Sequence, residues 1–247
     1  MKLLEKIAWK LTRMRLAPIR VFCFHHVSDE RDPLVCIEDD WTQTDQFKRN
    51  ILTLQSEYTF ISLADAIEKL KHDTFRTKKY AVLTCDDGLK TIPFLWPWLE
   101  EHKIPLTCFI NAKYLDGKSF KELDKTRIWK IDKDIAVQDV ISRQYMTWED
   151  IRKLSSPMIT FGMHGYEHWD AGRQTEAEFE NSVVKSIDAL KDLPNHVPYW
   201  AFTWDHWQMY DFPILRKYNI VPLLLRGNPN YKWYGYVDRE LLDGKSF

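Results

Sequence analysis

Two stretches of the chain hold residues from which a hydrolytic site could be built. Asp86-Asp87-Gly88 follows the apolar run Tyr80 to Cys85, and His164-Gly165-Tyr166-Glu167-His168 follows the run Met158 to Met163. Two adjacent carboxylates after a buried strand repel each other and are costly unless a cation or hydrogen bonds compensate. The i, i+4 spacing of His164 and His168 places both rings on one face of a helical turn, where they can share one metal ion. One carboxylate with two imidazoles is a three-ligand set that leaves a position for water, as catalytic zinc sites do. The second carboxylate is then free to act as a base, because consecutive residues at a strand end point in different directions. Either motif alone is weak, since Asp-Gly is a frequent turn and an HxxxH pair arises by chance. Together they complete a chemistry.

The elements that must position these residues read as short apolar runs alternating with helical patterns. Strands are expected at Ile19 to His25, Tyr58 to Ile61, Tyr80 to Cys85, Pro105 to Ile110, Met158 to Met163, Tyr199 to Thr203 and Ile220 to Leu225. A helix from Thr44 buries Phe47, Ile51 and Leu54. Ser62 with Asp65, Thr147 with Asp150, and Thr175 with Glu178 have the spacing of capping boxes. Another helix begins near Thr91 with Pro93 in its first turn, and the one after Thr175 turns Phe179, Val183, Ile187 and Leu190 inward. About seven strands, mostly followed by helices, imply a parallel sheet, and a barrel of fewer than eight units fits the length. No glycine-rich nucleotide loop follows any strand. His25, His26, Asp86, Asp87, His164, Asp205 and His206 all fall just after strands, with His168 in an adjoining turn. That is the edge where parallel α/β folds assemble active sites.

Composition narrows the classes further. The chain has 247 residues, with 35 Lys and Arg against 36 Asp and Glu, a formal charge of −1. That leaves no polycationic footprint for nucleic acid. No apolar run approaches the roughly 18 residues of a spanning helix. Residues 1–247 read as a single domain, with a charged, aperiodic stretch at about 116–139 read as a surface insertion. Cys23, Cys36, Cys85 and Cys108 have no zinc or redox spacing, which points to buried thiols and a reducing compartment. Eleven Trp are unusual; they serve either a large aromatic core or a sugar site. Residues 1–18 have an amphipathic pattern, with Leu4, Ile7, Leu11 and Met14 opposite Lys2, Lys6, Lys10 and Arg13. This reads as a helix capping the domain, with peripheral contact to the inner surface of a membrane as the alternative. Without a secretory signal pattern, a cytoplasmic location is expected. Oligomeric state is not legible.

The sequence resembles the polysaccharide deacetylases of the NodB-homology class, carbohydrate esterase family four. The resemblance is carried by Phe24-His25-His26-Val27, by Ala81-Val82-Leu83-Thr84-Cys85-Asp86-Asp87-Gly88, by Pro105-Leu106-Thr107-Cys108-Phe109-Ile110, and by Phe161-Gly162-Met163-His164-Gly165-Tyr166-Glu167-His168. It implies a distorted, incomplete (β/α) barrel. It also implies hydrolysis, dependent on a divalent metal such as Zn2+, of an N-acetyl group on an oligosaccharide or polysaccharide. By motif position Asp86 matches the base, and Asp87, His164 and His168 match the metal ligands. Two family features are missing from the sequence: the Arg of the third motif, which orients the base, and the late Leu-x-His that supplies the general acid. His25 and His206 are the candidates for the acid, since each lies at the correct edge. Trp204, Trp207 and Asp205 are the candidates for substrate contact. The competing readings are an O-acetyl esterase and an inactive, metal-containing glycan-binding module.

Overall fold

The computed structural model describes residues 16–30, 41–115, 144–154 and 156–245. The expected N-terminal helix, up to residue 15, and the expected insertion at 116–139 lie outside the described residues. In chain order the elements are β1 (Ile19–Phe24), β2 (His26–Val27), β3 (Trp41–Thr42), α1 (Thr44–Glu57), β4 (Thr59–Phe60), α2 (Leu63–His72), β5 (Tyr80–Cys85), α3 (Thr91–Glu101), β6 (Leu106–Ile110), α4 (Trp148–Lys153), β7 (Ile159–Met163), α5 (Glu176–Leu190), β8 (His196–Ala201), α6 (Asp211–Lys217), β9 (Val221–Leu224), β10 (Val237–Asp238) and β11 (Glu240–Leu241).

One sheet runs β10-β9-β8-β7-β6-β5-β1-β11, with β4 beside the start of β5. Every pairing among the described strands is parallel. The strands are buried on both faces, which is why β1, β5 and β6 read as unbroken apolar runs rather than alternating ones. Alternate residues still separate. Ile19, Val21, Val82, Phe109, Ala201, Leu223 and Val237 form an inner cluster with Leu63, Ala66, Ile67 and Leu70 of α2. Phe22, Phe24, Leu83, Cys108 and Phe161 face the other way, against Phe47 and Ile51 of α1, Leu95 of α3 and Phe179 of α5. Cys23, Cys85 and Cys108 are buried free thiols, as their apolar setting requires. The caps form as expected. Ser62 accepts from the Asp65 N–H, and full capping boxes open α4 at Thr147 and α5 at Thr175.

The sequence pattern misses the last two strands, because each is only two residues long. They lie on either side of Arg239, and they pair with opposite ends of the sheet. Val237 and Asp238 align with Leu223 and Leu224, whereas Glu240 and Leu241 align with Phe22 and Cys23. Residues 237–241 therefore join the two edges, so the barrel is distorted but nearly closed. Three arginine–carboxylate pairs pin this segment. Arg226 forks onto Asp238 at 2.7 and 2.8 Å. Arg20 forks onto Glu240. Between them, Arg239 reaches Asp86 through the barrel wall. Planar guanidinium groups suit such two-point contacts.

Candidate active site

Asp86 and Asp87 leave β5 in different directions because the chain turns between them. The Asp86 N–H still donates to the Phe24 carbonyl, at 3.1 Å, as the last sheet bond of β5. Asp87 then takes φ of 70° and Gly88 φ of 76°. Left-handed backbone is unusual for a non-glycine residue and is found where a site over-determines it. At Gly88 a side chain is also excluded by space, since a Cβ would lie 2.8 Å from Ile110 Cγ2. The turn sends the Asp86 carboxylate inward to Arg239 and the Asp87 carboxylate to the two histidines.

His164 and His168 do not lie on a helical turn, contrary to the spacing argument. Gly165 at φ 76° and His168 at φ 55° fold the loop back on itself. Asn111, at the end of β6, holds this loop by donating from Nδ2 to the carbonyls of His164 and Gly165. The rings nevertheless converge, their centroids 5.1 Å apart. Both Nε2 atoms approach Asp87 Oδ1, at 3.4 Å from His164 and 3.1 Å from His168.

The hydrogen bonding at this cluster fits a cation. His164 Nδ1 lies 2.9 Å from the Ala201 carbonyl, which can only accept. Nδ1 must therefore carry the proton, which leaves Nε2, aimed at Asp87, as the atom a cation would take. Asp87 Oδ1 is itself buried without a hydrogen-bond donor. A buried carboxylate oxygen facing two imidazole nitrogens is stabilised by a positive charge among them. The three ligand atoms lie within 4.8 Å of one another, and two imidazoles with a carboxylate are a zinc-type donor set.

Asp86 is 2% exposed, and its two oxygens meet Arg239 Nη1 and Nη2 at 2.7 and 2.9 Å. Burial alone would raise its pKa, but the Arg239 guanidinium more than offsets this and holds it down to about 2. Arg239 in turn lies over the Phe109 ring, 5.3 Å from its centroid. This arginine does for Asp86 what the third-motif arginine was expected to do. It comes from between the last two strands, 153 residues after its partner, so no local pattern marks it.

His25 stands on the other side of Asp86, with Nε2 4.0 Å from Asp86 Oδ2. Asp243 Oδ2 receives both the backbone N–H of His25, at 2.9 Å, and the contact with its Nδ1, at 2.8 Å. Asp243 is 3% exposed, and its other oxygen accepts from Thr42. The only sequence feature at Asp243 is the repeated string Leu-Asp-Gly-Lys-Ser-Phe, at 115–120 and 242–247, which looks like recurring turn chemistry.

The remaining candidates lie beyond the histidines. Trp204, at φ 63°, packs edge-on against the His168 ring with centroids 5.7 Å apart. Asp205 accepts the Leu225 N–H through Oδ1 at 2.6 Å. Trp207 is exposed and packs edge-on against Phe212. His206 is largely exposed and binds Asp170 through Nδ1 at 3.0 Å. The described structure thus brings together Asp86, Asp87, His164, His168 and His25, and sets His206 and Trp207 in a neighbouring cleft.

The sequence pattern of the polysaccharide deacetylase family matches residues 74–209, more than half of the chain. The chain belongs to that family, the NodB-homology or carbohydrate esterase four class, whose activity is removal of acetyl groups from glycans. No curated protein matches the sequence. Among solved structures, it is similar to IcaB from Ammonifex degensii, with a TM-score of 0.72 and 20% identity, covering 93% of this chain and 94% of that one. A de-N-acetylase from Aggregatibacter actinomycetemcomitans gives a TM-score of 0.73 at 14% identity, covering 93% and 97%. The deacetylase PplD from Streptococcus pyogenes gives 0.72 at 14%, covering 92% and 93%. At such identities these structures bear on the fold alone.

Proposed function

We propose that the chain is a metal-dependent hydrolase that removes an N-acetyl group from a sugar of a polysaccharide or glycan precursor. The observation that carries the reading is the convergence of Asp87 Oδ1 and the Nε2 atoms of His164 and His168, directly beside a carboxylate fixed by Arg239. Asp87, His164 and His168 would hold the cation, and their mixed oxygen and nitrogen donors favour zinc. A divalent cation held there would supply a Lewis acid for the acetyl carbonyl and would acidify a bound water.

The chain's own groups do the rest. Asp86 accepts the proton of the attacking water. Arg239 keeps Asp86 ionised and aimed, so the base is ready without reorganisation. His25 delivers a proton to the departing amine nitrogen, and Asp243, bonded to Nδ1, fixes the ring so that Nε2 faces the reaction. An amine leaves poorly without protonation, whereas an alcohol leaves more readily, so this oriented acid favours an amide over an ester substrate. An oriented base and acid also have no use in a module that only binds. Trp204 and Trp207 are proposed to face the sugar, with Asp205 as a polar contact.

The test separates the roles. Asp86→Asn should keep its metal and lose roughly two to four powers of ten in activity, as for a general base. His168→Ala and Asp87→Asn should lose stoichiometric metal by elemental analysis. Equal metal content in all three variants and the wild type would overturn the ligand assignment. Acetate release from N-acetylated against O-acetylated oligosaccharides decides the bond cleaved.

A further inference from the structure

The loop that carries both histidines cannot satisfy its own polar groups. Gly165 at φ 76° and His168 at φ 55° break any repeating pattern, and a carbonyl shielded from water without a donor is costly. Its oxygens must find partners outside the loop. Four consecutive ones find them in a single short segment. Asn111 Nδ2 donates to the His164 carbonyl and, at 3.0 Å, to that of Gly165. The Lys113 N–H donates to the Tyr166 carbonyl at 3.1 Å. The Tyr114 hydroxyl donates to the Glu167 carbonyl at 2.8 Å. Residues 111–114 thus follow the loop carbonyl by carbonyl, from 164 to 167.

The segment is itself firmly held. It begins just after the backbone bond in which the His164 N–H donates to the Ile110 carbonyl at 3.1 Å. One turn of 3-10 helix spans Ala112–Tyr114, and the Tyr114 N–H closes it on the Asn111 carbonyl at 3.1 Å. Asn111 and Tyr114 are buried, and the Tyr114 ring packs on Tyr145 with centroids 5.2 Å apart. From the far side, Ser182 Oγ of α5 accepts the Tyr166 N–H at 3.0 Å.

Within the segment, Asn111 has a role that few residue types could fill. Aspartate matches its shape but offers no donor, and the amide cannot be reversed, because its oxygen would then face two carbonyl oxygens. Asn111 Oδ1 is left buried without a partner. An orphaned acceptor is a cost to the fold; here the two bonds made by the nitrogen offset it.

We propose that Asn111 and Tyr114 are positioning residues for the metal-ligand loop. They fix its path before a cation binds, so that His164 and His168 meet Asp87 with little left to order. Such preorganisation raises affinity by removing an entropic cost from binding. The proposal rests on the metal reading, and its test keeps the two apart. Zinc affinity, measured by competition with a chelator, is compared for the wild type, Asn111→Asp, Tyr114→Phe and Thr107→Val. Thr107 Oγ1 lies 3.0 Å from Thr160 Oγ1, so its variant loosens the same pair of strands away from the loop. Asn111→Asp should weaken zinc binding about 10–100-fold, the range for groups that orient metal ligands. Tyr114→Phe should weaken it about threefold, as for one hydrogen bond. Thr107→Val should lower stability and leave the affinity unchanged. Amide hydrogen exchange of the metal-free protein is the second readout. The His164 and Tyr166 N–H groups should exchange at least about tenfold faster in Asn111→Asp, while those of β1 keep the wild-type rate. Should Asn111→Asp not fold, Tyr114→Phe decides both measurements. If the wild type takes up no zinc, the metal reading fails and exchange alone judges the clamp. Where the wild type binds zinc, an affinity that both loop variants leave unchanged, or that Thr107→Val lowers equally, overturns the proposal. So does loop exchange that neither variant quickens.

Discussion

Asp86 and Arg239 are each almost fully buried, and each is the other's charge partner. Breaking such a pair is far more costly than never having formed it, because the remaining charge is stranded away from water. Arg239→Met should therefore destabilise the fold by about 3–5 kcal/mol. Adding Asp86→Asn removes the stranded charge, so the double variant should recover part of that loss in a urea titration. A double variant that is less stable than Arg239→Met alone would refute the pairing. Arg239→Lys tests geometry rather than charge: an ammonium cannot fork onto both oxygens, so activity should fall while most stability remains. The residues legible in the sequence were those in short contiguous motifs after apolar runs: Asp86, Asp87, His164 and His168. Arg239 and Asp243 were not legible, since each acts on a residue 153 or 218 positions away. Nothing in a local pattern records such a contact.

At the scale of elements, helix starts were well marked because a cap is a local bond between residues three apart. Short strands were not, because two residues cannot display a period. The loop between His164 and His168 misled for a related reason, since i, i+4 spacing is read as a turn of helix while Gly165 permits a tighter reversal. The start of α6 presents a separate strain. Asp211 is fully buried, accepts the Gln208 N–H through Oδ2 at 2.7 Å, and has no partner for Oδ1. Burial pushes its pKa up to about 6. The folded state thus holds this proton more tightly than the unfolded chain. Stability is then full below about pH 4 and declines as the pH rises toward 6 and the buried carboxylate ionises. Asp211→Asn keeps an oxygen for Gln208 and removes the charge. It should match the wild type near pH 3.5 and exceed it at pH 7 by an amount on the order of 2 kcal/mol. A stability difference that does not widen with pH in denaturant titrations would refute this.

For the whole molecule, the fold class was legible and the means of closure was not. Alternating strands and helices announced a parallel barrel; the residues that join its edges lie in a stretch with neither a long apolar run nor a period. Where the protein works is a separate proposal. The pattern of residues 1–15 reads first as a domain cap; the alternative, weak attachment to an anionic bilayer with each cation contributing about 1 kcal/mol, has its own test. Co-sedimentation with anionic vesicles should occur at low salt, fade as screening shortens toward roughly 3 Å at 1 M, and be absent with neutral vesicles. Removing residues 1–15 should abolish it. Indifference of the intact chain to anionic vesicles would leave the domain-capping reading in place.

The segment that closes the barrel also sets a schedule. A ribosome builds the chain from its N-terminal side, so the proposed metal ligands Asp87, His164 and His168 exist well before Arg239 and Asp243 emerge. Until then the base has no guanidinium to aim it, the acid has no carboxylate to hold it, and the two sheet edges remain open. On the proposed reading, a nascent chain would gather its three candidate ligands before its base and acid have their partners. On that reading both partners arrive together, when a short stretch late in translation docks between strands made at opposite ends of the message.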